Sequence, residues 1–236
     1  MSMQPRRAYR YYEFVMVAFV VVLLCSNLIG PAKIAQVELP LAGPVAFGAG
    51  ILFFPVSYIF GDILTEVYGY AYSRRVIWAG FAALAFASFM SFVIVALPPA
   101  PFWHNQEVYE IAFGNTWRVA GASMIAYFAG EFVNSYTLAK MKILTRGRWL
   151  WTRVVGSTVF GEGVDSLIFY PLAMYGTGIL PNDKIPVAML AQFVGKVSVE
   201  IVFMPATYAI VGWLKRVEHE DYYDRNTRFT PFTLQT

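Results

Sequence analysis

Six stretches of this chain are apolar over enough consecutive residues to cross a bilayer: 12–29, 44–66, 76–97, 117–141, 154–175 and 185–214. Residues 44–61 contain no charge at all, and about 18 such residues already match the thickness of the hydrocarbon core. Hydrophobic residues make up 58% of the chain and charged ones only 14%, against roughly 25% charged in an ordinary globular domain. These features predict an all-α integral membrane protein, with six transmembrane helices in one bundle over residues 1–215. A polar tail, 216–236, follows on the cytoplasmic side and is expected to be mobile. The last apolar stretch is long enough to continue beyond the membrane.

The basic residues set the orientation. Fourteen of the 18 Lys and Arg fall in the N-terminal segment, the connection after the second stretch, the connection after the fourth and the C-terminal tail. An excess of Lys and Arg marks cytoplasmic connections, so both termini are expected inside. Aromatic residues flank the stretches as interfacial anchors, and the connection 98–115, with Pro98, Pro99 and Pro101 and the acids Glu107 and Glu110, is expected outside as a wet loop. Arg6, Arg7 and Arg10 precede the first stretch without an A-x-A-like cleavage site, which reads as an uncleaved span. The small net charge of +3 and the placement of basic residues between apolar runs argue against nucleic-acid binding. Cys25 is the single cysteine, and His104 and His219 fall in loop and tail. No metal or other cofactor is expected from such a set.

Four of the stretches place a charge directly after a glycine: Gly61-Asp62, Gly130-Glu131, Gly161-Glu162 and Gly195-Lys196. The fourth and fifth stretches share the hexapeptide pattern G-E-x-V-[ND]-S, a short internal repeat. Residues three or four apart share a helix face, which pairs Glu131 with Asn134, Glu162 with Asp165, Asp62 with Glu66 and Lys196 with Glu200. At 1.5 Å per residue, Glu131, Glu162 and Lys196 lie near mid-bilayer, with Asp62 and Glu66 closer to the cytoplasmic end. One lysine that could neutralise Glu162 or Glu131 cannot balance four acids. The surplus calls for water, protons or a ligand in a shared polar cavity, because ionisable groups inside membranes mark functional sites. The stripes of small residues, such as Ala122, Ala126 and Gly130, are expected to be packing faces.

The run FFPVSYIFGDILTEVYGY, preceded by the segment holding Asn27 and Lys33, resembles the YhhQ-type queuosine precursor transporters, once called the vitamin uptake transporter family, over essentially the whole length. The resemblance implies import of 7-cyano-7-deazaguanine, and of its aminomethyl relative, across a bacterial inner membrane. It also implies a fold similar to the six-helix substrate-binding subunits of energy-coupling-factor transporters. A deazaguanine offers N–H and NH2 donors side by side next to a carbonyl, and one carboxylate can accept both donors. Glu162, Asp165 and Glu131 are the candidate acceptors, with Glu162 the first choice; Lys196, Asn134, Asn27 and Gln192 are candidate donors, and Asp62 is added from the motif. Phe169, Tyr127 and Phe160 are candidate walls. Glu66, Glu200, Lys33 and Arg75 are candidates for gating or coupling.

The alternative to a self-sufficient importer is a substrate-capture subunit served by a separate ATP-driven module, since the chain carries no G-x-x-x-x-G-K-[ST] run. An enzyme is not expected: neither H-E-x-x-H nor G-x-S-x-G occurs, and no histidine falls in an apolar stretch. The expected partners are the deazapurine and the lipid bilayer, with a homodimer left open as an assembly.

Overall fold

The structure, a computed structural model, describes residues 9–29, 33–39, 43–49, 53–114, 117–178 and 181–233. Arg6, Arg7 and the 30–32 part of the motif lie outside the described residues. The chain is mostly helical. Helix α1 (Tyr12–Leu24) runs into a π-helical turn, Cys25–Ile29. Helix α2 (Phe54–Ile63) likewise ends in a π-helical turn, Leu64–Tyr68. There follow α3 (Tyr70–Ala96), α4 (Gln106–Phe113), α5 (Trp117–Leu144), α6 (Leu150–Ala173) and α7 (Ile185–Glu218).

Between α1 and α2 the structure departs from a continuous second helix. Strands β1 (Ile34–Leu39) and β2 (Gly43–Gly48) pair antiparallel, with Ile34 opposite Gly48 and Leu39 opposite Gly43. The sequence explains this. Gly43, Pro44, Gly48 and Gly50 sit where a helix would have to begin, and each is a poor helix former. A two-stranded ribbon has only edge strands, which tolerate proline. The connection 98–115 also differs from a plain loop, since it contains α4.

Three segments among the described residues are long and apolar enough to span a membrane: Tyr12–Ile29, Tyr70–Ala96 and Asn182–Glu218. Helices α5 and α6, at 28 and 24 residues, have the length but carry acids at their centres. Large apolar side chains face outward, and many ionisable ones are buried alongside an apolar core that includes Phe19, Leu64, Val76 and Leu138. Phe14, Phe86, Phe89, Phe92, Leu167, Leu190 and Val202 are exposed, whereas Asp62, Glu66, Arg74, Glu131, Arg153, Glu162, Lys196 and Glu200 are buried. Exposed apolar surface on this scale suits lipid, not water.

Helix α5 packs most extensively on α6, which also touches α7; α1 packs on α2 and α3, and α2 reaches α7. Gly69, at φ +87°, makes the sharp turn between the π-helical turn after α2 and α3, a conformation only glycine adopts without strain.

The C-terminal segment is docked, contrary to the mobile tail expected. The Arg74 guanidinium donates to the carbonyls of Arg228 and Thr230, and the Trp78 indole N–H donates to that of Pro231. Two tail acids also serve helix N-termini. Glu218 accepts from the backbone N–H groups of Arg10 and Tyr11 at the start of α1, and Asp224 accepts from that of Tyr70 at the start of α3. Carboxylates satisfy the orphan donors there and complement the helix dipole.

Candidate functional site

The repeated hexapeptides lie against each other. Gly130 on α5 approaches the Gly161 carbonyl and Asp165 Cβ, while Gly161 on α6 approaches the Gly130 carbonyl and Asn134 Cβ. Each glycine therefore meets the residue four places beyond the other one, so the internal repeat is the two sides of one antiparallel contact. Absence of a side chain at both points lets the helices close up and sets Glu131 and Asn134 beside Glu162 and Asp165. A methyl group added at Gly161 would stand 2.8 Å from Asn134 Cβ, whereas one at Gly163 would meet open space. Gly161→Ala is expected to cost about 1–3 kcal/mol through overpacking. Gly163→Ala is expected to melt like the unmodified protein, and thermal unfolding of the two variants in detergent compares them.

This contact forms one wall of a cavity of about 190 Å³. Asn27 enters it from the π-helical turn after α1, Ser57 from α2, and Ser123, Tyr127, Glu131 and Asn134 from α5. Helix α6 supplies Thr158, Glu162, Asp165 and Phe169; α7 supplies Gln192 and Lys196. Non-helical or widened backbone at membrane depth is tolerated where it lines a cavity, and π turns frequently mark functional sites. Here the turn redirects Asn27. Its amide N–H2 donates to the Leu23 carbonyl at 2.9 Å, and its side-chain oxygen accepts from the Ser123 hydroxyl at 3.0 Å.

The charges in the cavity are unequally matched. Lys196 Nζ donates to Glu162 at 2.6 Å and to Asp165 at 3.3 Å. Glu131 is 9% exposed, and its Oε2 has no donor among the described residues; Asn134 Oδ1 is in the same state. Buried polar atoms are nearly always satisfied, so these two oxygens mark places for water or a ligand. The Tyr170 hydroxyl donates to the side-chain oxygen of Gln192, which leaves the Gln192 amide nitrogen available as a donor. Phe169 and Tyr127 line the cavity; Phe160, expected as a wall, is 60% exposed on the outer surface instead.

A second cavity, of about 480 Å³, shares Asn27, Ser123 and Phe169 with the first. It continues between the C-terminal half of α3 and the N-terminal half of α5, past Leu84, Ser91, Phe113 and Val119.

The remaining candidates lie away from the cavity. Asp62 is fully buried behind Asn134, whose amide nitrogen donates to it at 3.3 Å, and it does not line the cavity. Glu200 lies beside Asp62. Lys33 is exposed next to the β-hairpin, and Arg75 is half-buried near Tyr12. Glu66 lies within the π-helical turn that follows Asp62 and joins a cationic cluster at the opposite end of the bundle from the second cavity. Arg153 binds it with Nε and Nη2, both at 2.8 Å, Lys215 donates at 2.5 Å, and Lys142 stands 3.6 Å away. Asp221 in the tail completes the cluster through Lys142 at 2.6 Å and Lys215 at 2.7 Å. Burial alone would raise Asp221, but those two lysines hold its carboxyl below the usual aspartate range. Sequence reasoning missed Arg153, Lys142 and Lys215 as partners of Glu66, because the contacts join α5, α6 and α7 over long sequence separations.

The family model described as "Putative vitamin uptake transporter" matches residues 48–210. The chain belongs to this vitamin uptake transporter family. The matched span contains every cavity residue on α2, α5, α6 and α7, and leaves out Asn27 and its π turn. The family is one of transporters, not enzymes, which agrees with helices that expose apolar faces and enclose ionisable ones. Among curated members, "Probable queuosine precursor transporter" of Bacillus subtilis (strain 168) is 30% identical over 83% of this chain and 82% of its own length. "Queuosine precursor transporter" of Escherichia coli (strain K12) is 27% identical over 69% of this chain and 71% of its own. No solved structure matches the chain.

Proposed function

We propose that this protein imports queuosine precursors, 7-cyano-7-deazaguanine and its aminomethyl relative, across a bacterial inner membrane, and binds them in the cavity between α5, α6 and α7. The observation that carries the reading is the state of Glu131. Lys196 occupies Glu162 and Asp165, so Glu131 is the cavity acid with an oxygen still unserved. It is the acceptor for the paired N–H and NH2 donors of the deazaguanine, in place of Glu162. Gln192 and Lys196 supply donors for the ring carbonyl, and Phe169 and Tyr127 flank the flat bicycle, the usual division between apolar walls and a few placed polar groups. The names of the two curated relatives support the same substrate class.

The chain crosses the membrane six times, with α1, α2, α3, α5, α6 and α7 as the crossings and α2 completed by its π turn. The N-terminal segment, Arg74, Lys142, Arg153, Lys215 and the tail gather at one end. That end is cytoplasmic by the distribution of Lys and Arg. The second cavity opens toward the other end and is the route of entry. Uptake of labelled 7-cyano-7-deazaguanine into liposomes containing only this protein tests the function. Uptake above that of empty liposomes is expected; binding without uptake would instead assign the chain to substrate capture for a separate energising module.

A further inference from the structure

We propose that Asp62 and Glu200 together form a proton-binding site, set behind the substrate cavity and coupled to it through Asn134 and Thr158. The inference rests on the cavity being the precursor site.

The two acids come from different helices, α2 and α7, and are 0% and 3% exposed. Their carboxyl groups face one another within hydrogen-bonding reach. Asp62 Oδ2 and Glu200 Oε2 each lack a donor among the described residues. Two adjacent carboxylates have only acceptors to offer, so a bond between them requires a hydrogen that neither backbone nor side chain supplies. A single shared proton satisfies both orphaned oxygens and halves the buried negative charge.

No described cation forms an ion pair with this site. Lys196, one turn before Glu200 on α7, is engaged by Glu162 and Asp165; Arg153, Lys142 and Lys215 gather on Glu66. The titratable groups that bear on the pair are themselves acids: Glu131 from α5 acts on Asp62, and Glu162 from α6 acts on Glu200. From α1, the apolar Phe19 is the neighbour at Gly61. Loss of the proton would leave two carboxylates in contact with no counter-charge, a state that like-charge repulsion and desolvation both disfavour. Relief then requires α2 and α7 to separate or water to enter.

The link to the cavity is direct. Asn134 donates to Asp62 through its amide nitrogen, and its unserved side-chain oxygen belongs to a residue of the cavity wall. Thr158 also lines the cavity, and its hydroxyl faces the Glu200 carboxyl. A ligand that recruits Asn134 or Thr158 alters the hydrogen bonding of the pair, and the charge of the pair alters what those residues offer a ligand. A proton taken from the outer aqueous phase and released to the cytoplasm would in this way be carried with substrate, with no other co-reactant.

Two measurements test the proposal. Infrared spectra of the purified protein at neutral pH should show a protonated-carboxyl band that shifts or is lost in Asp62→Asn and in Glu200→Gln; an unchanged band in both overturns the site. In proteoliposomes, the unmodified protein should accumulate 7-cyano-7-deazaguanine several-fold more when the outside is acidic, while Asp62→Asn should still exchange internal for external precursor and lose that gain. Accumulation by the unmodified protein that ignores the gradient, or a gain retained in both variants, overturns the coupling. If Asp62→Asn does not fold, Glu200→Gln carries both measurements. Should the unmodified protein move no precursor at all, the proposed function fails and the coupling with it, while the infrared band still decides whether the proton is bound.

Discussion

Glu131→Gln is expected to weaken binding of 7-cyano-7-deazaguanine by roughly tenfold to hundredfold and to leave the yield of folded protein unchanged. The carboxylate accepts two ligand donors side by side. The amide keeps one acceptor and turns an NH2 toward the other donor, which loses its bond. Leaving a buried donor unpaired costs about 1–3 kcal/mol, and about 1.4 kcal/mol is a factor of ten in affinity. Glu131 Oε2 has no donor among the described residues, so removing its charge strands no buried cation. Glu162→Gln is different in kind: it takes from Lys196 the charged partner at 2.6 Å and keeps Asp165 at 3.3 Å, and should lower stability as well as affinity. Titration of both purified variants separates the two roles. Normal binding by Glu131→Gln would move the acceptor elsewhere.

Glu66→Gln is expected to cost about 3–5 kcal/mol of stability, the typical loss when one partner of a buried ion pair is removed. Arg153 and Lys142, both about 1% exposed, would keep their charges with only the partly exposed Asp221 against the lysines. The cluster ties the π turn after α2 to α5, α6, α7 and the tail, so its loss should appear as a lowered melting temperature and poor extraction. A selective loss of transport at normal stability would instead favour a gating role. Glu66→Asp, which keeps the charge on a shorter arm, should recover part of the stability.

Much of the cavity was legible in the sequence because membranes make ionisable residues rare. Glu131, Asn134, Glu162, Asp165 and Lys196 stand out in apolar stretches, and helical spacing alone puts each pair on one face. Asn27 and Gln192 came from the motif and from donor chemistry, and both line the cavity. What the spacing could not give was the pairing between helices. Lys196 had two acids to choose from by depth, and the packing of α7 on α6 brings it Glu162 and Asp165. Asp62 and Glu66, four residues apart, were expected to act together. The π-helical turn at Leu64–Tyr68 breaks the 3.6-residue phase and sends one toward the cavity wall and the other to the cationic cluster. The β-hairpin escaped because absence of charge reports preference for lipid, not helix over strand. The docking of the tail escaped because its carboxylates bind backbone N–H groups, which carry no sequence signature at the receiving end.

The central claim is that the precursor sits in the cavity between α5, α6 and α7. It is tested most directly by ligand protection of a cysteine placed there. The chain has one cysteine, Cys25, so Ser123→Cys can be introduced after Cys25→Ser, with Asn105→Cys in the exposed connection before α4 as control. Maleimide labelling would be followed with increasing 7-cyano-7-deazaguanine. Protection of Ser123→Cys, half-complete at the dissociation constant measured by titration and absent at Asn105→Cys, is the expected result. Saturating ligand that leaves the labelling of Ser123→Cys unchanged would contradict the account.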